Sequence, residues 1–326
     1  MCRSDSTASA DIVASIGQLC GQSTSPPGND SLVKQLSMNS HPAQRFSAPS
    51  TIQQGVPLKE IMDRRLVKLI GESLCDVVPE FDEKRFRSRA TRGLTELELK
   101  NRALNIAHAM AEQLPADFDE LAPLLIQSLG PPLAATENNG LAPFFYLPHA
   151  QLIATYGVSR FESGMRANYE LTQRFTAEFS IRSFLIEHRT KCLKLLSRWS
   201  ADASPHVRRL VSEGTRPRLP WAMRLREFQE NPRLSLPLLE KLKDDPELYV
   251  RRSVANHLGD IAKDHPDVAF DVCEQWLEEI KFSNDVRQAK HRRWIVRHAV
   301  RLPAKKENDR AINIRKAAAE PQTRKS

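Results

Sequence analysis

Apolar residues recur every three to four positions along most of this chain. Leu58, Ile61, Met62, Leu66, Leu69, Ile70 and Leu74 open the pattern, with the spacing of one buried helix face. The same period runs through LTELELKNRALNIAHAMAEQL, FDELAPLLIQSL, AQLIATYG, SFLIEHRTKCLKLLSRW, LSLPLLEKLK and VAFDVCEQWLEEIKF. Prolines and short polar clusters (LPAD, LGPP, ADASP, NPRLS, KDDPE, KDHPD) separate these runs, as turns between helices do. No apolar–polar alternation of strand length interrupts the series, so the chain is predicted to be all-α.

The helical runs also repeat. ADASPHVRRLVSEG aligns with DDPELYVRRSVANH, placing Val207-Arg208-Arg209 and Val250-Arg251-Arg252 43 residues apart. A weaker copy, WIVRHAVR, places Val296-Arg297 another 46 residues on. A period of 40–47 residues built from paired helices is the HEAT-like pattern, in which each pair buries its apolar face only by stacking on its neighbours. The expected architecture is an α-solenoid over residues 57–302 with a concave basic groove. Residues 1–56 are rich in Ser, Gln, Pro, Asn and Gly. They hold too little apolar material to offset ordering entropy and are expected to be a disordered extension. A basic flexible tail is expected over 303–326.

A chain of 326 residues has room for a sizeable core. No apolar run approaches the ~18 residues of a membrane span, and the first twenty residues make a poor signal peptide. Five scattered cysteines form no CxxC pair and nine histidines form no metal-ligand motif, so neither zinc nor a disulfide framework is indicated and a reducing cytoplasm is expected. Glycine is scarce, and no Gly-rich loop is present to cradle a nucleotide phosphate. The formal charge of +8 is uneven, because Lys281–Ser326 carries fourteen Lys/Arg against four Asp/Glu. Such an excess suits either an anionic partner, nucleic acid being the commonest, or a solvated basic face.

Against that charge a few acids stand out. Glu213 is the only acid between Val207 and Arg226, a stretch with six arginines. Glu178 lies among apolar residues with Arg174 and Arg182 four residues to either side, and Asp260 follows the second repeat tract. Three carboxylates from successive helical units are therefore candidates to converge on one groove. Cleavage of an N-glycosidic bond passes through an oxocarbenium-like sugar cation, which carboxylates stabilise while orienting the attacking water. Trp221 fits such a site, since an indole face attracts a cation.

At these residues the chain resembles the AlkC/AlkD-type DNA alkylation repair glycosylases, most closely the AlkC branch. SPHVRRLVSEGTRPRLPW and VRRSVANHLGDIAKDHPD carry the resemblance, which spans about Pro57–Leu302. It implies a DNA glycosylase that removes cationic N3-alkylated bases, notably 3-methyladenine and 3-methylcytosine, from double-stranded DNA. The implied catalytic residues are Glu178, Glu213 and Asp260, with Trp221 at the lesion or sugar. Arg209 and Arg216 are implied phosphate contacts, and Arg208, Arg218, Arg251 and Arg252 join them as DNA-binding candidates. No metal or cofactor is implied, and a monomer is expected, cytoplasmic and nucleoid-associated when bound to DNA. Three departures from the family pattern stand out, one of them Ser183 where members tend to have Pro. Gly259 stands where the family has Asn, which is expected to loosen the helix bearing Asp260, and Pro303 is expected to cut the last repeat short.

Simpler roles stay open for each residue. Glu213 suits a helix-terminal carboxylate paired with Arg209 or Arg216, Glu178 an i±4 salt-bridge array, and Asp260 a partner of Lys263. The corresponding alternatives for the whole chain are a noncatalytic HEAT-repeat DNA-binding protein and a protein-interaction scaffold.

Overall fold

A computed structural model describes residues 40–319, and every regular element among them is helical. A short helix α1 (Pro42–Arg45) leads into α2 (Arg64–Cys75). The chain then runs through α3 (Glu83–Thr91), α4 (Leu99–Ala111), α5 (Phe118–Gln127), α6 (Leu147–Tyr156), α7 (Phe161–Thr172) and α8 (Ile181–Glu187). It continues with α9 (Arg189–Trp199), α10 (Pro205–Gly214), α11 (Arg226–Glu230), α12 (Leu236–Leu242), α13 (Leu248–Asp264), α14 (Pro266–Lys281) and α15 (Val286–Ala299), and closes with α16 (Arg301–Lys305) and α17 (Asp309–Ala317). Helix starts carry the expected local chemistry. Asp63, Asp82 and Asp117 each accept a backbone N–H of the first turn, satisfying donors that a helix leaves without partners.

Two rows of helices stack side by side. In one, α4 packs on α6, α6 on α8, α10 on α13 and α13 on α15; in the other, α5 packs on α7, α9 on α12 and α14 on α17. The repeat shows directly in the bonds between neighbouring units. Arg174 donates to the Gly130 carbonyl, His257 bonds the Ser212 carbonyl and Arg216 bonds Asp260, at sequence separations of 44, 45 and 44 residues. The core is one continuous apolar cluster from Phe46 to Ala318. None of these helices is long and apolar enough to cross a membrane.

Three expectations change here. Residues 1–39 of the expected extension lie outside the described residues, but its remainder joins the fold: Phe46 is 6% exposed and sits against Phe145 with ring centroids 5.8 Å apart. Nor is the segment after Pro303 a loose tail through residue 319. Asn308 caps α17, Ala311 and Ile314 are buried, and Arg310 pairs with Asp267, Asp271 and Glu274 of α14. Helix α13 runs unbroken through Gly259. A side chain there would begin 3.3 Å from the Ala299 carbonyl oxygen of α15, so the glycine marks a close helix approach and leaves Asp260 buried.

Candidate active site

The segment between α7 and α8, the end of α10 and the second half of α13 meet in one place. They bring Glu178, Glu213 and Asp260 together in a chain of alternating charge. Arg209 Nη1 lies 2.7 Å from Glu178 Oε2, and its Nη2 is 3.5 Å from Glu213 Oε1. Arg216 Nη1 lies 2.6 Å from the same Glu213 oxygen, while its Nε and Nη2 lie 2.8 and 2.7 Å from Asp260 Oδ2. Lys263 Nζ closes the chain, 2.8 Å from Asp260 Oδ1. The simple pairings open from sequence for Glu213 and Asp260 are therefore present, joined end to end. Glu178 departs from its own: its guanidinium partner is Arg209, whereas Arg174 binds Glu170 and the Gly130 carbonyl.

Hydroxyl groups fix the carboxylates further. Ser253 Oγ donates to Glu213 Oε2 at 2.6 Å, and Thr176 Oγ1 donates to Glu178 Oε2 at 2.7 Å while accepting from Arg209 Nη1 at 3.1 Å. The Tyr249 ring lies 5.0 Å from the Arg209 guanidinium carbon, within cation–π range. Burial alone would raise the Glu213 carboxyl, but Arg209, Arg216 and the Ser253 hydroxyl together hold it below its ordinary value. It is thus an anion at neutral pH despite being only 6% exposed.

The chain of charges borders open space at one end. A cleft of about 350 Å³ is lined by Thr176, Glu178, Glu213, Arg216, Pro220 and Trp221, with the apolar Phe144, Phe175, Phe179 and Leu219. Trp221 is 58% exposed and holds φ at +62°, a left-handed backbone conformation that costs a non-glycine residue roughly 1 kcal/mol or more. The cleft lining thus holds two carboxylates and an aromatic side chain, together with the Arg216 guanidinium that pairs with Glu213.

No family model matches the chain. An uncharacterized protein of Bacillus subtilis, YhaZ, is 34% identical over 258 residues, covering 79% of this chain and 67% of its own length. Among solved structures, Pseudomonas fluorescens alkylpurine DNA glycosylase AlkC, bound to DNA containing an abasic site analog, is 38% identical. Its TM-score is 0.69, over 80% of this chain and 68% of that one. The chain belongs to the AlkC family.

Within this AlkC-family fold the candidate DNA-binding arginines divide. Arg209 and Arg216 lie inside the carboxylate chain. Arg208 Nη1 donates to the Asp202 and Ala203 carbonyls, and its repeat equivalent Arg251 donates to the Asp245 and Pro246 carbonyls. Each arginine therefore staples the turn before its own helix. Arg208 also pairs with Asp245, and Arg218 with Asp264. Arg252 differs: its side chain is 48% exposed, with Glu137 3.5 Å away. Sequence reasoning did not single out Thr176, Tyr249 or Ser253. In the repeat alignment, Ser253 falls on the position of the core residue Leu210, and that polar break in an apolar stripe was its available signal.

Proposed function

We propose that the protein is a DNA glycosylase of alkylation repair, hydrolysing the N-glycosidic bond of cationic N3-alkylated bases in double-stranded DNA, 3-methyladenine and 3-methylcytosine among them. The observation that carries this reading is the convergence of Glu178, Glu213 and Trp221 on one cleft, in a chain similar to a glycosylase bound to DNA containing an abasic site analog. N3-alkylation gives the base a positive charge, so the base departs neutral and needs little protonation. The remaining demand is a sugar cation at C1′, which carboxylates stabilise electrostatically.

The bonding pattern assigns different tasks to the three acids. Both oxygens of Glu213 are engaged, Oε1 by Arg209 and Arg216 and Oε2 by Ser253, and both oxygens of Asp260 by Arg216 and Lys263. The recorded partners of Glu178 all meet Oε2. Glu178 Oε1 is the oxygen left to hold the attacking water and to take its proton as the C1′–O bond forms. Glu213 contributes fixed negative charge, and Asp260 anchors Arg216. Exposed cations such as Arg252 supply phosphate affinity, whose strength falls with salt as counterions are released.

Duplex DNA carrying methylated purines, incubated with excess protein, tests the reading through the free 3-methyladenine released in a single turnover. Release by the wild type, reduced about a hundredfold or more in Glu178→Gln with abasic-site DNA affinity retained, supports it. Binding without release by the wild type overturns the assignment as an enzyme, and no binding at low salt overturns the DNA-directed reading altogether.

A further inference from the structure

Close to the carboxylate chain lies a buried arginine that pairs with no carboxylate among the described residues. Arg182, the second residue of α8, is fully inaccessible to solvent. Its Nε donates to the Met223 carbonyl at 2.5 Å, and its Nη1 donates to the carbonyls of Gly214 at 3.1 Å and Arg216 at 2.8 Å. Nη2 is buried without a partner. Leaving a guanidinium so placed is costly, because a buried charge wants both a counterion and filled hydrogen bonds. Burial draws its pKa down to about 10 while Glu178, Asp260 and Glu213 act to raise it, so it stays a cation at neutral pH.

The three carbonyls share one purpose. Gly214 ends α10, where helix carbonyls lack intrahelical partners and the dipole favours a positive charge. Arg216 and Met223 stand on either side of Trp221 in the loop that runs from α10 to α11. That loop has few internal backbone bonds of its own, among them Arg216 N–H to the Glu213 carbonyl and Ala222 N–H to the Leu219 carbonyl, both 3.3 Å. From the other side it is tied through the side chains of Arg216 and Arg218 to Asp260 and Asp264 of α13. Arg182 therefore cinches the base of the loop, while Trp221 at its tip holds a strained left-handed backbone and an exposed ring. Strain of that kind persists only where the surroundings over-determine the conformation.

We propose that Arg182 is a positioning residue for the glycosylase reaction: through its hydrogen bonds to the carbonyls of Gly214, Arg216 and Met223 it holds Trp221 over the cleft beside Glu178 and Glu213. It touches neither DNA nor base, and its effect passes through the Trp221 loop. The proposal rests on the function given above, and one part of its test does not.

Arg182→Lys keeps the charge and much of the volume but loses the planar fork that reaches carbonyls on both sides of the loop. Excision in a single turnover at saturating protein is expected to fall about tenfold to a hundredfold, with affinity for abasic-site DNA changed less than about twofold. In the Trp221→Ala background the same substitution is expected to cost about twofold or less, since residues acting through one element are non-additive. Independently of activity, trypsin is expected to cut folded Arg182→Lys at Arg218 and Arg224 faster than folded wild type, about tenfold or more, as local opening of the loop becomes cheaper. Arg182→Gln serves as the second variant should lysine fold poorly. An unchanged excision rate, a rate loss matched by lost DNA affinity, or full additivity with Trp221→Ala overturns the proposal. If the wild type releases no base, the function above fails, and an unchanged tryptic pattern in the variant then still refutes the clamp.

Discussion

Arg216 joins two buried acids, and its removal isolates the energetics of the site. In Arg216→Met the apolar chain fills similar space, but Glu213 and Asp260, with side chains 7% and 3% exposed, lose a shared guanidinium at 2.6–2.8 Å. Removing one partner of a buried pair costs about 3–5 kcal/mol because the remaining charge is stranded. Asp260 keeps Lys263, and Glu213 keeps Arg209 and Ser253, which places the expected loss near the lower figure, about 3 kcal/mol. For a chain of 326 residues that corresponds to a fall in Tm of roughly 4–6 °C. The loss is expected to depend on pH. In the wild type the Glu213 carboxyl titrates below its ordinary 4.5. Its stabilisation is thus present above that value and lost as pH falls through the folded pKa. Without Arg216 the carboxyl loses one of the charges that hold it down, so its folded pKa lies higher than in the wild type and the deficit shrinks as the group is protonated on acidification. Thermal melts followed by circular dichroism at pH 7.5 and about pH 5 should show a larger gap between wild type and variant at the higher pH. Glu213→Gln/Arg216→Met should recover part of the loss at pH 7.5. A deficit under about 1 kcal/mol, or one equal at both pH values, would show that the pairing is not what holds these acids.

Other outcomes follow from single sites. Trp221→Gly relieves the left-handed strain at φ +62° and should hold or raise Tm while cutting base release about tenfold or more, a stability–function exchange; a lower Tm with normal release would contradict it. Gly164→Ala would place a carbon 2.4 Å from the Phe184 ring and 2.6 Å from the Gly157 carbonyl oxygen, and should cost about 1–3 kcal/mol in denaturant melts. His149 and His257 are fully buried, and burial draws both imidazoles down to about 3. Below pH 6.5 the unfolded chain takes up protons that the native state refuses, so stability should decline toward pH 3 by up to about 1.4 kcal/mol per pH unit for each. His149→Leu should flatten that slope by one group's share, and an unchanged slope in urea titrations would remove His149 from the account.

The repeat and the helices were legible because both live in local pattern. A three-to-four period specifies a buried stripe wherever the helix ends up, and the VRR tracts at a 43-residue spacing mark equivalent places in successive units. The three acids were legible for a related reason, since an acid inside a basic tract has no local reason to be there. The arginines' own bonds were not legible, because composition counts charge but not direction. Arg208 and Arg251 stood among the candidates for phosphate contact, and each also bonds the carbonyls of the turn before its own helix, which no local pattern announces. The ends of the fold were missed because their apolar signal is weak: Phe46 stands in a Ser- and Pro-rich stretch, and the last helix and its C-cap bury mainly small alanines, Ala311 and Ala318, around Ile314.

The linear order of residues by itself determined an all-helical repeat with carboxylates set into basic surroundings, because hydrophobic periodicity and charge balance are properties of short windows. Tertiary packing alone decided that Glu178, Glu213 and Asp260 share one chain of ion pairs across 82 residues of sequence, and that Arg182 bonds the carbonyls at the base of the Trp221 loop. Ion pairs reach only a few ångströms, and only the stacking of one helical unit on the next brings such distant residues within that range.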